Sequence, residues 1–311
     1  MAAAHLLSGD LVAFPTETVY GLGADACNLT AVARIYEVKG RPSDHPLIVH
    51  IATMDRMGDW AREVPEYAIK LARNFWPGPM TLVLNRSEIA GDFITGGQNT
   101  VGVRVPDHAV ALGLLAAFEK VGGRGVAAPS ANRFGHVSPT NAAAVVEEIG
   151  KYLTKEDLVL DGGPCHVGVE STIIDCTGPT PRILRPGAIS EFMINECTGF
   201  SCAEFKPQTT TAEDIRVSGS LENHYAPAAK VFLDHTPLPG QGFIAHATLN
   251  TPEGVIRLAS PANDEEFARL LYSALRIADA KGLKEVVVAQ PNGAGIAVAI
   301  RDRLARAANG R

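Results

Sequence analysis

The sequence predicts an α/β protein: a mixed sheet layered with helices over the N-terminal two-thirds, then a polar stretch and a smaller α/β unit. Three observations carry this. Short β-branched runs alternate with longer segments of helical spacing up to about residue 190, the pattern of helices packed on a sheet. Some runs follow one another with no helix between them, so parallel and antiparallel neighbours must mix. Over residues 204–220 large apolar residues and periodicity fade, and the alternation resumes afterwards. A length of 311 residues agrees with two domains of roughly 150 residues each.

Taken in order, strands are expected at residues 11–14, 47–51, 80–84, 101–105, 125–128, 158–160 and 171–176. Helical spacing covers residues 31–39, 66–75, 109–120 and 141–149, with stops at Gly40 and at the turn Trp76-Pro77-Gly78-Pro79. In the second unit, strands fall at residues 230–233, 243–247, 255–258 and 285–289. A helix starts near Asn263 with Glu266 three residues on, as in a capping box. Its apolar positions Phe267, Leu270, Leu271, Ala274 and Ala278 share one face. A last helix is expected over residues 295–308, entered through a tight turn at residues 293–297.

Composition removes several classes of function. The net charge is −6, which argues against a surface that binds polyanions as a whole. The five cysteines include no CxxC pair, so a zinc ribbon or disulfide framework is not expected and a reducing cytosol is the expected compartment. The longest apolar run, residues 109–118, is too short to span a bilayer, and the N-terminus has no basic n-region; neither membrane nor secretion is expected. P-loop, GxSxG and HExxH motifs are absent. Residues 21–26 mimic the GxGxxA dinucleotide fingerprint, but six residues separate them from the preceding strand, whereas a phosphate-binding turn must follow its strand at once.

The informative feature is a set of polar side chains at strand ends. Thr16, Glu17 and Thr18 follow the first strand; Lys39, Arg41 and His45 lie between a helix end and a strand. His50 and Arg104 sit inside apolar strands, Ser130 and Asn132 follow another, and Ser171, Thr172 and Arg185 complete the set. Caps and turns account for many hydroxyls and amides, and Lys39 and Arg41 suit a helix C-terminus. Arg104 and Arg185 are harder to dismiss, because an unpaired guanidinium in an apolar strand is costly and an anionic partner is expected, either an internal Glu or Asp or a ligand. Four cations with orienting hydroxyls and no nucleophile–base pair suit a reaction driven by positioning and charge neutralisation on anionic, phosphorylated substrates.

The motifs FPTETVYGLG, KGRPSDHPLIVHI, FWPGPMTLVL, VGVRVP, APSAN with SPT, GVESTIID and ILRPG, in this order, resemble those of the YrdC-like family. The linker ending in NHYAP is similar to the long, two-domain threonylcarbamoyl-AMP synthases. The resemblance implies a YrdC-like twisted mixed sheet with helices (residues 1–192), a linker or lid (193–227) and a smaller Rossmann-like α/β C-terminal domain (228–311). It implies synthesis of threonylcarbamoyl-AMP and pyrophosphate from L-threonine, bicarbonate and ATP. The product would pass to the tRNA threonylcarbamoyl transfer machinery for t6A modification, in the cytoplasm; weak tRNA binding is compatible with this.

L-Threonine would contact Thr18, His50, Arg104, Ala128 and Ser171, with Arg104 on its carboxylate. ATP would lie against Arg41, His45, Thr100, Ser130, Ser138, Arg185 and Tyr225. Lys39, Arg41, Ser130 and Asn132 match the group regarded as central to catalysis, with Lys39 and Arg41 neutralising charge from a loop after a helix end. Mg²⁺ is expected with ATP, held through phosphates rather than in a protein site. The linker would fold over the cleft with Tyr225 closing it. An RNA-binding or ribosome-associated module is the alternative, against which stand the acidic charge and the lack of RNP and KH motifs. Carbamoyl transfer, as in hydrogenase-maturation proteins with a YrdC-like domain, would bring an acylphosphatase segment and zinc-finger cysteines that this sequence lacks.

Overall fold

The β-branched runs pair into two separate sheets. The structure is a computed structural model, and it describes residues 1–202, 215–219 and 224–310. Much of the expected linker (203–214 and 220–223, with Asn223 of NHYAP) lies outside the described residues. The strands of the first sheet are β1 (Val12–Phe14), β2 (Gly21–Asp25), β3 (Ile48–His50), β4 (Met80–Asn85), β5 (Thr100–Arg104), β6 (Val126–Ala127), β7 (Leu158–Val159), β8 (Thr172–Asp175) and β9 (Arg182–Arg185). Among the described residues they form one mixed sheet in the order β7-β1-β2-β6-β3-β5-β4-β8-β9.

Helices cover both faces: α1 (Ala2–Ser8), α2 (Leu29–Lys39), α3 (Met57–Trp60), α4 (Glu66–Phe75), α5 (Asp92–Thr95), α6 (Ala109–Lys120), α7 (Ala142–Ile149) and α8 (Glu191–Thr198). The apolar faces of α2 and α4 pack on one side through Val32, Ile35 and Leu71. Leu6 of α1 and Leu115 and Phe118 of α6 pack on the other against Val12 and Phe14. Asn28 caps α2 and Asn141 caps α7, each accepting from a backbone N–H three residues on.

Strand β2 is the main departure from expectation, since the glycines that mimic a dinucleotide fingerprint are strand residues. It pairs antiparallel with β1 through a hairpin whose loop holds the PTETV segment. A Cβ at Gly23 would lie 2.8 Å from both the Phe14 ring and Val126. Glycine is there for close packing across the sheet, not for a phosphate turn.

The second sheet is all parallel, with β10 (Lys230–Leu233), β11 (Gly242–Ile244), β12 (Ile256–Ala259) and β13 (Glu285–Val288) in the order β10-β13-β11-β12. Helices α9 (Asp264–Ala280) and α10 (Ile296–Ala308) accompany it, giving the Rossmann-like unit that parallel strands and crossovers require. Asn263 caps α9 and the Glu266 carboxylate reaches back to the Ala262 N–H. The core of this unit does not stop at its own boundary. Val19, Val137 and Val169 of the first unit belong to the same apolar cluster as Phe267, Leu271 and Ile300. A Cβ at Gly168 would come within 2.4 Å of the Arg269 Cα, so the two units meet at backbone contact. Among the described residues no helix is long and apolar enough to cross a membrane.

Candidate active site

Parallel pairing places the first two site residues. In the β3–β5 register His50 stands opposite Arg104, so both side chains leave the sheet on one face, side by side. The β1–β2 loop arrives at the same place, held by Thr16, whose hydroxyl contacts the Thr18 hydroxyl at 2.8 Å and donates to the Val19 carbonyl at 2.7 Å. Ala128 and Ser130 follow β6, and Ser171 precedes β8 with its hydroxyl 2.8 Å from that of Thr81. Together these residues border a cavity of about 40 Å³.

Thr18, His50, Arg104, Ala128 and Ser171, the residues expected to meet threonine, all line this cavity. Of those expected to meet ATP, Ser130, Arg185 and Tyr225 line it as well. Ser138 stands one step back and donates at 2.6 Å to Glu170, which is itself in the wall. Thr100 lines a neighbouring cavity of about 20 Å³ that shares Ile48 and Ser218 with the first. Arg41 reaches Ser218 Oγ at 3.4 Å and donates to the Pro46 carbonyl at 2.8 Å. The His45 ring lies against Phe134, which in turn meets His224.

The linker forms the roof. Ser218, His224 and Tyr225 border the cavity from above the sheet, and Ala226 bridges to His136. Tyr225 has φ of 61°, an uncommon backbone state for a bulky residue that its surroundings must impose. Its ring is 1% exposed and stacks on Tyr272 of α9 with 5.8 Å between centroids.

One expectation about the cations needs correction. Lys39 is not a loop residue but the last residue of α2, 2% exposed, with Nζ donating to the carbonyls of Ser130 at 2.5 Å and Asn132 at 2.6 Å. Burial, reinforced by the Arg41 charge, holds its pKa well below the usual lysine value. It therefore shapes the Ser130–Asn132 segment from behind. Arg41 does follow the helix end, but it is buried too, and burial lowers its pKa to about 10.

Arg185, for which an internal acid or a ligand was expected as anionic partner, has neutral oxygens as its hydrogen-bond acceptors within the protein: the Ser171 carbonyl at 2.9 and 3.1 Å, the Ser171 hydroxyl at 3.1 Å and the Ser218 carbonyl at 2.8 Å. These acceptors engage four of its five donors, and the Glu170 carboxylate acts on it through space. Arg104 does find an internal acid: Nη2 lies 2.6 Å from Glu17 Oε1, both residues being buried. The ions touch without the alignment of a hydrogen bond, while Nε donates to the Gly78 carbonyl at 3.3 Å.

The electrostatics of the wall follow from burial. His50 is driven to about 3 by desolvation and then by Arg104. His224 is likewise driven to about 3, chiefly by burial. Burial would raise the Glu170 carboxyl, but the charges of Arg303 and Arg185 and the hydrogen bonds from Arg303 and Ser138 outweigh it and hold the group at about 2. Both rings are thus neutral near pH 7 and Glu170 is ionised.

Many polar atoms here are buried and unmatched. Among the described residues, those without a hydrogen-bond partner include both Glu17 oxygens, Arg41 Nε, His50 Nδ1, Arg104 Nη2, Asn132 Oδ1, His224 Nδ1 and the Tyr225 hydroxyl. Folded proteins satisfy the large majority of such groups, so their concentration in and behind one cavity marks a place built for a polar ligand.

Glu170, His224, Tyr272 and Arg303 escaped the sequence reading as site residues. Arg303 carried a signal: it lies on the buried face of α10 with Ile300, Leu304 and Ala307, where an arginine has no business without a partner.

Comparison with known proteins was consistent along the whole chain. The Sua5_yciO_yrdC family model, described as telomere recombination, matches residues 4–187. A second model, described as the C-terminal domain of threonylcarbamoyl-AMP synthase, matches residues 189–309. The threonylcarbamoyl-AMP synthase of Pyrococcus abyssi is 40% identical, the match covering 100% of this chain and 94% of the relative. That of Bacillus subtilis is 38% identical over 100% and 92%. A crystal structure of P. abyssi Sua5 complexed with L-threonine superposes with a TM-score of 0.88 at 38% identity, covering 99% of this chain and 93% of the other.

Proposed function

The chain belongs to the threonylcarbamoyl-AMP synthase family, transferases of tRNA processing, and from that premise we propose that its reaction takes place in the cavity beneath the linker. The observation that carries this is the cluster of buried, unmatched polar atoms at that cavity, those of His50, Arg104, His224 and Tyr225 on its walls and roof and those of Glu17, Arg41 and Asn132 behind them. The cationic groups suit carboxylate and phosphate, and the neutral His50 and the hydroxyls suit a small amino acid.

In this reading Arg104, held from behind by Glu17, receives the threonine carboxylate. Thr18, Ser171 and the backbone at Ala128 orient the side-chain hydroxyl and the amine, with the neutral His50 beside them. The deprotonated amine attacks the carbon of bicarbonate or of the CO₂ derived from it, forming the N–C bond of a carbamate with loss of the elements of water. A carbamate oxygen then attacks the α-phosphorus of ATP, and pyrophosphate leaves. Arg41 and Arg185 neutralise charge on the phosphates, Ser130, Ser138 and Thr100 orient the nucleotide, and His45 and Tyr225 approach it from the linker side. Lys39 and Asn132 fix the loop that carries Ser130. Mg²⁺ bound to ATP would supply further charge neutralisation through the phosphates. The nearest carboxylates suit that arrangement, since Glu17 faces Arg104 and Glu170 is taken by Ser138, Tyr272 and Arg303.

The linker supplies the protection a carbamate requires. A cavity of about 40 Å³ has room for a few waters at roughly 10–15 Å³ each, whereas small-molecule sites run to about 300–1,000 Å³. ATP therefore enters only after the roof formed by residues 215–219 and 224–227 lifts, and closure afterwards excludes water from the intermediate. We assign residues 1–192 to catalysis, 193–227 to this lid and 228–311 to its support. The adenylate would then pass to the machinery that modifies tRNA, in the cytoplasm. The test is incubation with ATP, L-threonine and bicarbonate. Pyrophosphate release that needs all three is expected, and release indifferent to threonine would overturn the reading.

A further inference from the structure

The second unit reaches into the cavity wall through one buried carboxylate. Glu170, 6% exposed, accepts from the Ser138 hydroxyl at 2.6 Å. It also accepts from the Tyr272 hydroxyl of α9 at 2.9 and 3.2 Å and from Arg303 Nε of α10 at 2.8 Å. Arg303 is wholly buried and is held in turn by Asp302 at 2.6 Å and the Pro186 carbonyl at 3.0 Å. Above the same carboxylate, the Tyr225 ring stacks on Tyr272 and lies 5.3 Å from the Arg303 guanidinium. Glu170 thus joins three things: a hydroxyl of the first unit, two helices of the second, and the tyrosine of the linker.

We propose that Glu170, Tyr272 and Arg303 form a positioning unit that fixes the Ser138 hydroxyl and the Tyr225 ring on the ATP side of the cavity, so that the C-terminal unit completes the catalytic site. This rests on the reading of the cavity as the adenylate-forming site and deepens it. A satisfied carboxylate with rigid donors sets where the Ser138 oxygen points, and the aromatic stack with the cation beside it sets the height of Tyr225. Most of the threonine side stands outside the network: His50 and Arg104 take their geometry from strand register and from Glu17, Thr18 from the Thr16 hydroxyl, and Ser171, although next to Glu170 in the chain, from Thr81 and Arg185. The unit therefore acts selectively on the nucleotide. Its three members act through Ser138 and Tyr225, hence as positioning residues.

The experiment compares full-length wild type, Tyr272→Phe and the double variant Glu170→Gln/Arg303→Met. Tyr272→Phe keeps the ring under Tyr225 and removes only the hydroxyl from Glu170; the double variant removes both buried charges together. Calorimetry with a non-hydrolysable ATP analogue and, separately, with L-threonine reads the two sides. Both variants should bind the analogue more weakly, by roughly 3- to 30-fold as coupled positioning networks do, with threonine affinity unchanged and the KM for ATP rising more than that for threonine. Tyr272→Phe carries the test if the double variant fails to fold. Folded variants that bind the analogue as wild type does would overturn this proposal alone. So would an equal loss for both ligands, the mark of a merely structural role. A wild-type chain that binds no ATP analogue would overturn it together with the functional reading beneath it.

Discussion

Replacing Arg104 tests the fold and the site together. Arg104→Met removes the cation and leaves Glu17 1% exposed with neither oxygen hydrogen-bonded. Removing one side of a buried pair costs about 3–5 kcal/mol, because the remaining charge stays in a medium that cannot solvate it. Glu17→Gln/Arg104→Met removes both charges. Replacing a buried pair by neutral groups of similar volume is close to neutral, so the double variant should regain most of the loss. Urea denaturation should therefore give a single variant with a much lower midpoint and a double variant close to wild type, a strongly non-additive pair. The double variant is also the folded chain in which threonine can be asked about. With the charge-assisted contact gone, calorimetry should show threonine binding weaker by about 1.5–3 kcal/mol, roughly 10- to 150-fold. Binding of the ATP analogue should stay near wild type. An Arg104→Met chain as stable as wild type would refute the buried-pair argument, and a double variant with full threonine affinity would remove Arg104 from the substrate.

Lys39→Met should lower both stability and turnover, since the two carbonyls at 2.5 and 2.6 Å lose their donor at a cost of roughly 1–3 kcal/mol; urea midpoints and pyrophosphate release measure the two effects, and an unchanged rate would release Lys39 from any role behind Ser130. Tyr225→Phe should be neutral or slightly stabilising, because its buried hydroxyl has no hydrogen-bond partner among the described residues, while the KM for ATP rises; a wild-type KM would leave the hydroxyl without a function. Stability should fall with acid in a way that His50 and His224 govern. Their folded values near 3 lie below the unfolded value of about 6.5, so the unfolded chain binds protons that the native one refuses. The contribution is complete above about pH 6.5 and declines toward pH 3, at up to about 1.4 kcal/mol per pH unit for each ring. Denaturation midpoints of His50→Gln and His224→Gln between pH 4 and 8 should show a flatter slope than wild type, and parallel slopes would contradict the assignment.

Much of this protein was legible before any coordinates. Period alone located α4 at Glu66–Phe75 and α6 at Ala109–Lys120, since an amphipathic stripe reports the helix that buries it. The break in composition separated the two sheets, and the ordered motifs identified the family. The residues expected at threonine all border one cavity, because strand ends are where a sheet can gather side chains from distant segments. The short second strand was not legible: Gly21 and Gly23 carry no strand propensity, and only Phe14 and Val126 pressing from neighbouring strands make glycine necessary there.

What the tertiary structure alone decided is partnership. The sequence demanded a counterpart for each buried arginine but could not say that Arg104 would receive Glu17, Arg185 the carbonyls of Ser171 and Ser218, and Arg303 the carboxylate of Glu170. Nor could it show that Lys39 turns inward to the carbonyls of Ser130 and Asn132. Pattern along a chain records which faces avoid water, because hydrophobic burial is non-directional and depends on residue type. A buried charge depends on the few atoms within about 3 Å of it, and those come from distant segments, 133 residues apart for Glu170 and Arg303. Only the packed fold brings them together.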